Sequence, residues 1–219
     1  MSANLQEQIV TRPILFSGPM VRAILDGRKT QTRRIVKAKD SDSSRCITLP
    51  MLMKNVNEWR LQDGRWFGID GYDTLVFCDC PYGHVGDRLW VRENWRECGS
   101  GQRQDGKIPS TPVPVVYAAD DDAEGPWRPS IFMPRWASRI TLELVSIRIE
   151  RLREISHEDA TAEGIERSGK GWKDYGGNTQ QWMSPATSFQ TLWMSINGHE
   201  NWSANPWVWV VGFKVASNC

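Results

Sequence analysis

The feature that most constrains the fold is an apolar pattern between residues 140 and 149 that changes parity once. Apolar side chains occupy every second position up to Leu144, and the alternation resumes one position out of step at Val145. Alternation of this kind predicts a half-buried strand, and a one-residue change of parity predicts a β-bulge. Because bulges bend strands in small barrels, this segment favours a curved sheet.

Further strand patterns occupy residues 88–92, 115–118 and 207–215. The last of these is apolar on both faces at its start, so we expect it to run through the centre of the sheet. Strands outnumber helices, and the alternating pattern of a parallel crossover fold is absent. The sequence therefore predicts an α+β fold in which a bulged antiparallel sheet closes into a β-barrel with flanking helices.

The predicted helices cover residues 18–26, 156–164 and 188–197. Ser156 and Asp159 form a capping-box pattern at the start of the second helix, and Gly164 is the expected stop signal. This arrangement places Glu163 in the final turn of that helix.

The chain of 219 residues is long enough to bury a core as a single domain, which we assign to residues 1–219. Insertions are predicted where Gly, Ser, Pro, Asn and charged residues accumulate, at residues 38–45, 99–114 and 166–186. The formal net charge of +1 excludes a globally basic coat, so any nucleic-acid binding has to come from a local patch. Most of the twelve tryptophans are predicted to lie in the core.

The N-terminal segment lacks an apolar run of signal-peptide length, and no segment is long and apolar enough to predict a membrane span. We therefore expect a cytoplasmic protein with reduced thiols and no membrane partner. Cys78, Cys80, His84 and Cys98 allow a zinc site as an alternative, but the single residue between the first two thiols is shorter than the usual spacing. No metal and no cofactor are predicted.

A basic loop, Gly27-Arg28-Lys29-Thr30-Gln31-Thr32-Arg33-Arg34, follows the first helix. Gly27 supplies the left-handed residue that ends the helix, and the four cations then crowd around two threonine hydroxyls. This composition predicts an anion-facing loop in which arginines meet phosphates while Lys29 and Thr32 point into a pocket. The alternative is a solvated basic turn that only caps the helix.

In the order of four features, the chain resembles the ASCH domain, a PUA-like family. These features are a first helix, a Gly-x-Lys-x-x-Thr-x-Arg loop, the strand Gly86-Asp87-Arg88-Leu89-Trp90-Val91 and a late helix that bears a glutamate. The usual family pattern has Glu where this chain has Thr32. That substitution is shared with small bacterial ASCH proteins that act as N4-acetylcytidine amidohydrolases. The segment Cys80-Pro81-Tyr82-Gly83 also resembles longer phage and prophage members, and the likeness spans residues from about 13 to 215.

The resemblance implies a hydrolase acting on RNA or a modified nucleoside, with Lys29, Thr32 and Glu163 as catalytic residues. The residues it assigns to nucleic-acid or substrate binding are Gly27, Arg28, Arg33 and Arg34. Amide hydrolysis needs a base, an oxyanion stabiliser and an acid for the leaving nitrogen. Lys29 can serve as base or nucleophile when neutral and as oxyanion stabiliser when charged, so both roles stay open.

Two other functions fit the same residues. In a non-catalytic RNA-binding module, the arginines would hold phosphates while aromatic surfaces at Trp59, Trp66, Trp172 or Trp182 stack on unpaired bases. In a ribonuclease, Lys29 and Glu163 would act as general acid and base.

Overall fold

The computed structural model describes residues 9–36, 56–62, 65–70, 75–98, 114–120, 126–177 and 181–216. The predicted insertion at 38–45 and all but the last residue of that at 99–114 lie outside these ranges.

The described strands are β1 (Thr11–Leu15), β2 (Gln31–Ile35), β3 (Val56–Gln62), β4 (Arg65–Asp70), β5 (Leu75–Cys78), β6 (Arg88–Arg92), β7 (Trp95–Glu97), β8 (Val115–Tyr117), β9 (Thr141–Arg151), β10 (Arg167–Ser168), β11 (Gly171–Lys173), β12 (Gln181–Trp182) and β13 (Trp207–Val215). The α-helices are α1 (Gly18–Leu25), α2 (His157–Ala162), α3 (Pro185–Asn197) and α4 (His199–Ser203). Short 3-10 helices cover Ser130–Phe132, Arg135–Ala137 and Leu152–Glu154.

A five-stranded mixed sheet in the order β1-β6-β9-β13-β2 forms the centre of an α and β fold. The expectation of a purely antiparallel sheet is wrong at one edge, because β1 pairs parallel to β6, with Thr11 opposite Arg88. Among the described residues no backbone pairing joins the edge strands β1 and β2, so a closed barrel is not observed. A side-chain hydrogen bond does link these two edges, from Arg34 Nη2 to the Leu15 carbonyl at 2.7 Å.

The predicted bulge in β9 is confirmed. Along β13, Gly212 lies opposite Ser146 while the next residue, Phe213, lies opposite Leu144. Val145 is therefore the extra residue, at the position where the apolar pattern changes parity. One inserted residue restores the alternation between core and solvent after the bend.

Strand β13 is an interior strand because its two faces belong to two different cores. Trp209, Val211 and Phe213 pack with the side chains of β6 and β9 in the larger core. Val208 and Val210 point to the other side, where they pack with α3 and with Trp172. A strand covered on both faces has to be apolar at consecutive positions, which explains its sequence.

The described residues of the segment predicted as an insertion, 166–177 and 181–186, contain regular secondary structure. They include the small antiparallel sheet β10-β11-β12 and the beginning of α3. Trp172 is 9% exposed and belongs to the second core, which anchors this sheet to the domain. None of the described helices is both long and apolar enough to cross a membrane.

Candidate active site

The basic loop and the end of α2 meet through their backbones. Gly27, with φ of +71°, turns the chain after α1, and Lys29 then forms an isolated antiparallel bridge with Glu163. The Thr30 amide donates to the Ala162 carbonyl at 2.9 Å. Gly164 makes this approach possible, because a Cβ atom at that position would lie 2.7 Å from the Lys29 Cβ.

Lys29 and Glu163 form a buried ion pair across this bridge. The Lys29 Nζ donates to Glu163 Oε2 at 2.9 Å and to the Glu163 main-chain carbonyl at 2.9 Å. The two side chains are only 1% and 5% exposed. Two residues that are 134 positions apart in the sequence are therefore in direct contact and largely removed from water.

Burial lowers the pKa of Lys29 below its ordinary value, because an ammonium loses hydration inside the protein. The Glu163 carboxylate opposes this effect by attraction and by its hydrogen bond. The positive charges of Arg34 and Arg33 add to the lowering. The loop thus creates the crowding of cations around Lys29 that the sequence predicted, although Arg33 and Arg34 rather than Arg28 are responsible.

Arg33 is a brace for Glu163 in this structure. Its side chain has no exposed surface, and Nη1 donates to Glu163 Oε1 at 3.3 Å while Nη2 donates to Asp159 at 2.8 Å and also to Glu150. Arg148 binds the same two outer carboxylates, at 3.0 Å from Glu150 and 2.5 Å from Asp159. A phosphate would have to displace these carboxylates to reach Arg33, so the predicted phosphate contact is not available to it.

Thr32 and Glu163 line a cavity of about 580 Å³ between β2 and α3. Thr32 is 3% exposed and sits opposite Val211 on β13, which fixes its position in the sheet. Lys29 is not a lining residue, so its charge acts on the cavity through Glu163. The remaining lining residues are Met20, Arg33, Arg34, Ile35, Pro81, Tyr82, Phe189, Leu192, Trp193, Ile196 and Asn197.

Arg34 is the arginine of the loop that presents positive charge to the cavity. Its guanidinium lies 5.4 Å from the centre of the Phe16 ring and donates to the Leu15 carbonyl. In the described part of the chain no carboxylate pairs with it. Arg28, by contrast, is an exposed residue whose guanidinium binds Asp26 at 2.8 Å and the Gly164 carbonyl at 3.2 Å.

The apolar wall of the cavity comes from α3, through Phe189, Leu192 and Trp193 among others. The helical periodicity of this segment predicts packing, and no sequence signal distinguishes its cavity-facing residues from core residues. The network of Glu150 and Arg148 behind Arg33 was also missed. The sequence signal for this network is that Arg148 and Glu150 are two residues apart, which places their opposite charges on one face of a strand.

The tryptophans considered as stacking surfaces are buried or half-buried. Trp59 and Trp172 are each 9% exposed, and Trp66 packs edge-on against Trp209 at 5.8 Å. Trp182 is half-buried against the second core. Within the described ranges, no group of three or more His, Cys, Asp or Glu side chains is arranged to hold a metal ion.

No protein-family model, curated protein or solved structure matches this chain.

Proposed function

We propose that this protein hydrolyses the exocyclic amide of an acylated pyrimidine, with N4-acetylcytidine as the nearest model, in a nucleoside or in RNA. The observation that carries the proposal is the buried Lys29–Glu163 pair at the wall of a cavity that Thr32 also lines. Its volume of about 580 Å³ lies in the range of small-molecule sites. The resemblance to ASCH amidohydrolases supports the same three residues, and the Arg34–Leu15 bond supports an open version of the PUA-like barrel.

Glu163 is the proton carrier in this mechanism. Lys29 and Arg33 hold its two oxygens from behind, and the carboxylate lines the cavity. Glu163 takes a proton from a water molecule, whose oxygen forms a bond to the acyl carbon. When the bond between that carbon and N4 breaks, the same proton passes to the departing amine, so that one water molecule converts the amide into a carboxylic acid and an amine.

Thr32 stabilises the charge that develops on the acyl oxygen directly, and Lys29 does so from behind Glu163. The Thr32 hydroxyl donates a hydrogen bond to this oxygen, because it is a neutral donor on the cavity wall. Lys29 acts in its charged form, in which its ammonium donates to the Glu163 carboxylate at 2.9 Å. Excluding water strengthens both effects, because electrostatic attraction is larger at low dielectric.

The cavity also suits a flat base. Phe189 and Trp193 form an apolar wall, while Arg34 and Tyr82 supply polar groups on the lining. Binding sites for small ligands combine apolar walls with a few placed polar groups in this way. The base would lie on the apolar wall with its exocyclic amide directed toward Glu163.

The test is to incubate the purified protein with N4-acetylcytidine and to measure cytidine by chromatography. We expect Glu163→Gln to lower kcat by about 10²-fold or more, because it removes the proton carrier. Glu58→Gln is the matched control, since it removes a carboxylate from an exposed ion pair with Arg60 at the same 2.9 Å. Full activity of the Glu163→Gln variant, with its fold intact by circular dichroism, would exclude this mechanism.

The second candidate is a recognition module without chemistry, which the Arg34 guanidinium favours because it lines the cavity and pairs with no carboxylate among the described residues. In that case the protein binds the nucleoside or RNA, forms no product, and keeps its affinity in the Glu163→Gln variant. Shortened RNA in the same assay would instead identify a ribonuclease.

A further inference from the structure

A second surface on the edge of the main sheet has the composition of a nucleic-acid contact. It consists of Leu15, Arg92, Phe132 and Arg135, with the two guanidinium groups over the ring of Trp90, which is only 8% exposed, and we call it the arginine–aromatic face. Phe132 is 72% exposed, and Leu15, which lies opposite Arg92 in the sheet, is 41% exposed. None of these residues takes part in the mechanism proposed above.

The two arginines of this face bind no carboxylate among the described residues. The Arg92 guanidinium lies 4.6 Å from the centre of the Trp90 ring, and the Arg135 guanidinium lies 5.8 Å from it. Arg92 donates to the Ile131 carbonyl at 3.2 Å, and Arg135 donates to the Thr141 hydroxyl at 3.3 Å. Both cations are therefore held in place by neutral partners, which leaves their charge available to an anion.

Phe132 is presented by a rigid turn rather than by a loose loop. It lies in the 3-10 helix Ser130–Phe132, where its amide donates to the Pro129 carbonyl at 3.0 Å. The next residue, Met133, is 1% exposed and packs in a small core with Trp95. Because the turn is anchored on both sides, the exposed ring loses little freedom when another flat group stacks on it.

The arginine–aromatic face adjoins the cavity through β1. Leu15 is paired with Arg92 in the parallel register of β1 and β6. The carbonyl of the same Leu15 accepts a hydrogen bond from Arg34, which lines the cavity. Arg34 and Arg92 are thus separated by one residue of the edge strand, and the positive charge continues from the cavity to Phe132.

We propose that the arginine–aromatic face binds the single-stranded RNA that flanks the base held in the cavity. Arg92 and Arg135 contact phosphates, and Phe132 stacks on an unpaired base. A polyanion with exposed flat rings is the partner that matches an exposed aromatic ring beside two guanidinium groups that bind no carboxylate of the described residues. The inference relies on the proposed function only for the position of the modified base, and it makes RNA rather than the free nucleoside the preferred substrate.

Binding is tested by fluorescence anisotropy with a fluorescein-labelled single-stranded RNA of about 12 nucleotides, within the usual range of site sizes. We expect Phe132→Ala to weaken binding about tenfold, which is typical of the loss of one stacked base. Met183→Ala is the control for loss of an exposed apolar side chain, because Met183 is 86% exposed and lies outside both sites. Equal affinities of wild type and Phe132→Ala would overturn the proposal.

The charges are tested by measuring the same affinity over a series of salt concentrations. Combining Arg92→Gln with Arg135→Gln should reduce the slope of log K against log salt by about 1.4, because each phosphate contact on a single strand contributes about 0.7. Arg153→Gln, at an exposed arginine of the 3-10 helix Leu152–Glu154, is the control. An unchanged slope in the double variant would contradict the assignment.

Kinetics separate this proposal from the proposed function. Phe132→Ala should lower kcat/KM about tenfold for an RNA containing N4-acetylcytidine and leave hydrolysis of the free nucleoside unchanged. If neither substrate is hydrolysed but RNA binding depends on Phe132, the surface assignment stands and the chemistry is wrong. Hydrolysis of both substrates without any effect of Phe132→Ala supports the chemistry and overturns the surface assignment.

Discussion

Replacing Glu163 by Gln should destabilise the protein strongly, because the change leaves Lys29 as a buried ammonium without its carboxylate. The two side chains are 1% and 5% exposed, so solvent cannot replace the lost attraction. Breaking a buried ion pair by removing one partner costs about 3–5 kcal/mol. Arg33 keeps its bonds to Asp159 and Glu150, and therefore the penalty arises mainly from Lys29.

The penalty has an upper limit set by the proton on Lys29. Removing that proton at pH 7 from a lysine with the ordinary pKa of 10.5 costs about 5 kcal/mol, after which Lys29 carries no charge. For a chain of 219 residues, a loss of 3–5 kcal/mol lowers the thermal midpoint by about 6–20 °C. Urea unfolding followed by tryptophan fluorescence measures the same loss.

The predicted loss of stability in Glu163→Gln depends on pH. Burial lowers the pKa of Lys29 in the folded state, so the unfolded chain holds this proton more tightly and stability rises with pH between the folded pKa and 10.5. Glu163→Gln removes the opposing attraction, which lowers the folded pKa further. The destabilisation is therefore largest below both folded pKa values of Lys29, and it decreases as the pH rises from the folded pKa of the variant to that of the wild type.

Two further variants complete this experiment. Glu58→Gln breaks an ion pair whose partners are both more than half exposed, and it should leave the unfolding midpoint unchanged. Adding Lys29→Met to Glu163→Gln should recover part of the lost stability, because it removes the unpaired buried charge. A loss below about 1 kcal/mol for Glu163→Gln, or a loss independent of pH, would refute the assignment of a buried charged pair.

Three further predictions test the site and its surroundings. Thr32→Val should lower kcat for N4-acetylcytidine by about 10²-fold while leaving the thermal midpoint unchanged, because it removes a donor on the cavity wall; unchanged kcat would remove Thr32 from the mechanism. Gly164→Ala should cost about 2 kcal/mol or more in urea unfolding, since Gly164 has φ of +83° and an added Cβ would lie 2.7 Å from the Lys29 Cβ; a neutral substitution would show that the bridge tolerates a side chain. Burial raises the pKa of Cys78 to about 11, so its alkylation at pH 8, followed by peptide mass spectrometry, should be much slower than that of the exposed Cys98 and should accelerate toward pH 11; equal rates at pH 8 would contradict this.

The local periodicity of the sequence was sufficient for several elements. The change of parity at Val145 predicted the bulge in β9, and the apolar run from Trp207 predicted an interior strand. The capping pattern at Ser156 predicted the start of a helix. In the structure the Ser156 hydroxyl accepts a hydrogen bond from the Asp159 amide at 3.0 Å, in the first turn of that helix. These features depend on residues within one or two turns or a few strand positions of each other, and such spacing is visible in the sequence.

Strand pairing between distant segments was not visible. The parallel partner of β1 lies 77 positions further along the chain, and the five residues of Thr11–Leu15 carry no signal that selects it. The small sheet at β10, β11 and β12 was hidden for a related reason. Its strands are two or three residues long, and its stability comes from Trp172 packing against the second core.

The sequence by itself determined the chemical types in the site: a lysine and a threonine three residues apart beyond a helix-ending glycine, and a glutamate at the end of a capped helix. Only the tertiary structure decided which of these groups are in contact and which charges are buried. It placed Glu163 on Lys29, enclosed Arg33 in carboxylates, and left Arg34 at the cavity without a carboxylate partner among the described residues. The physical reason is that desolvation and charge pairing depend on distances of a few ångströms between segments that are far apart in the chain.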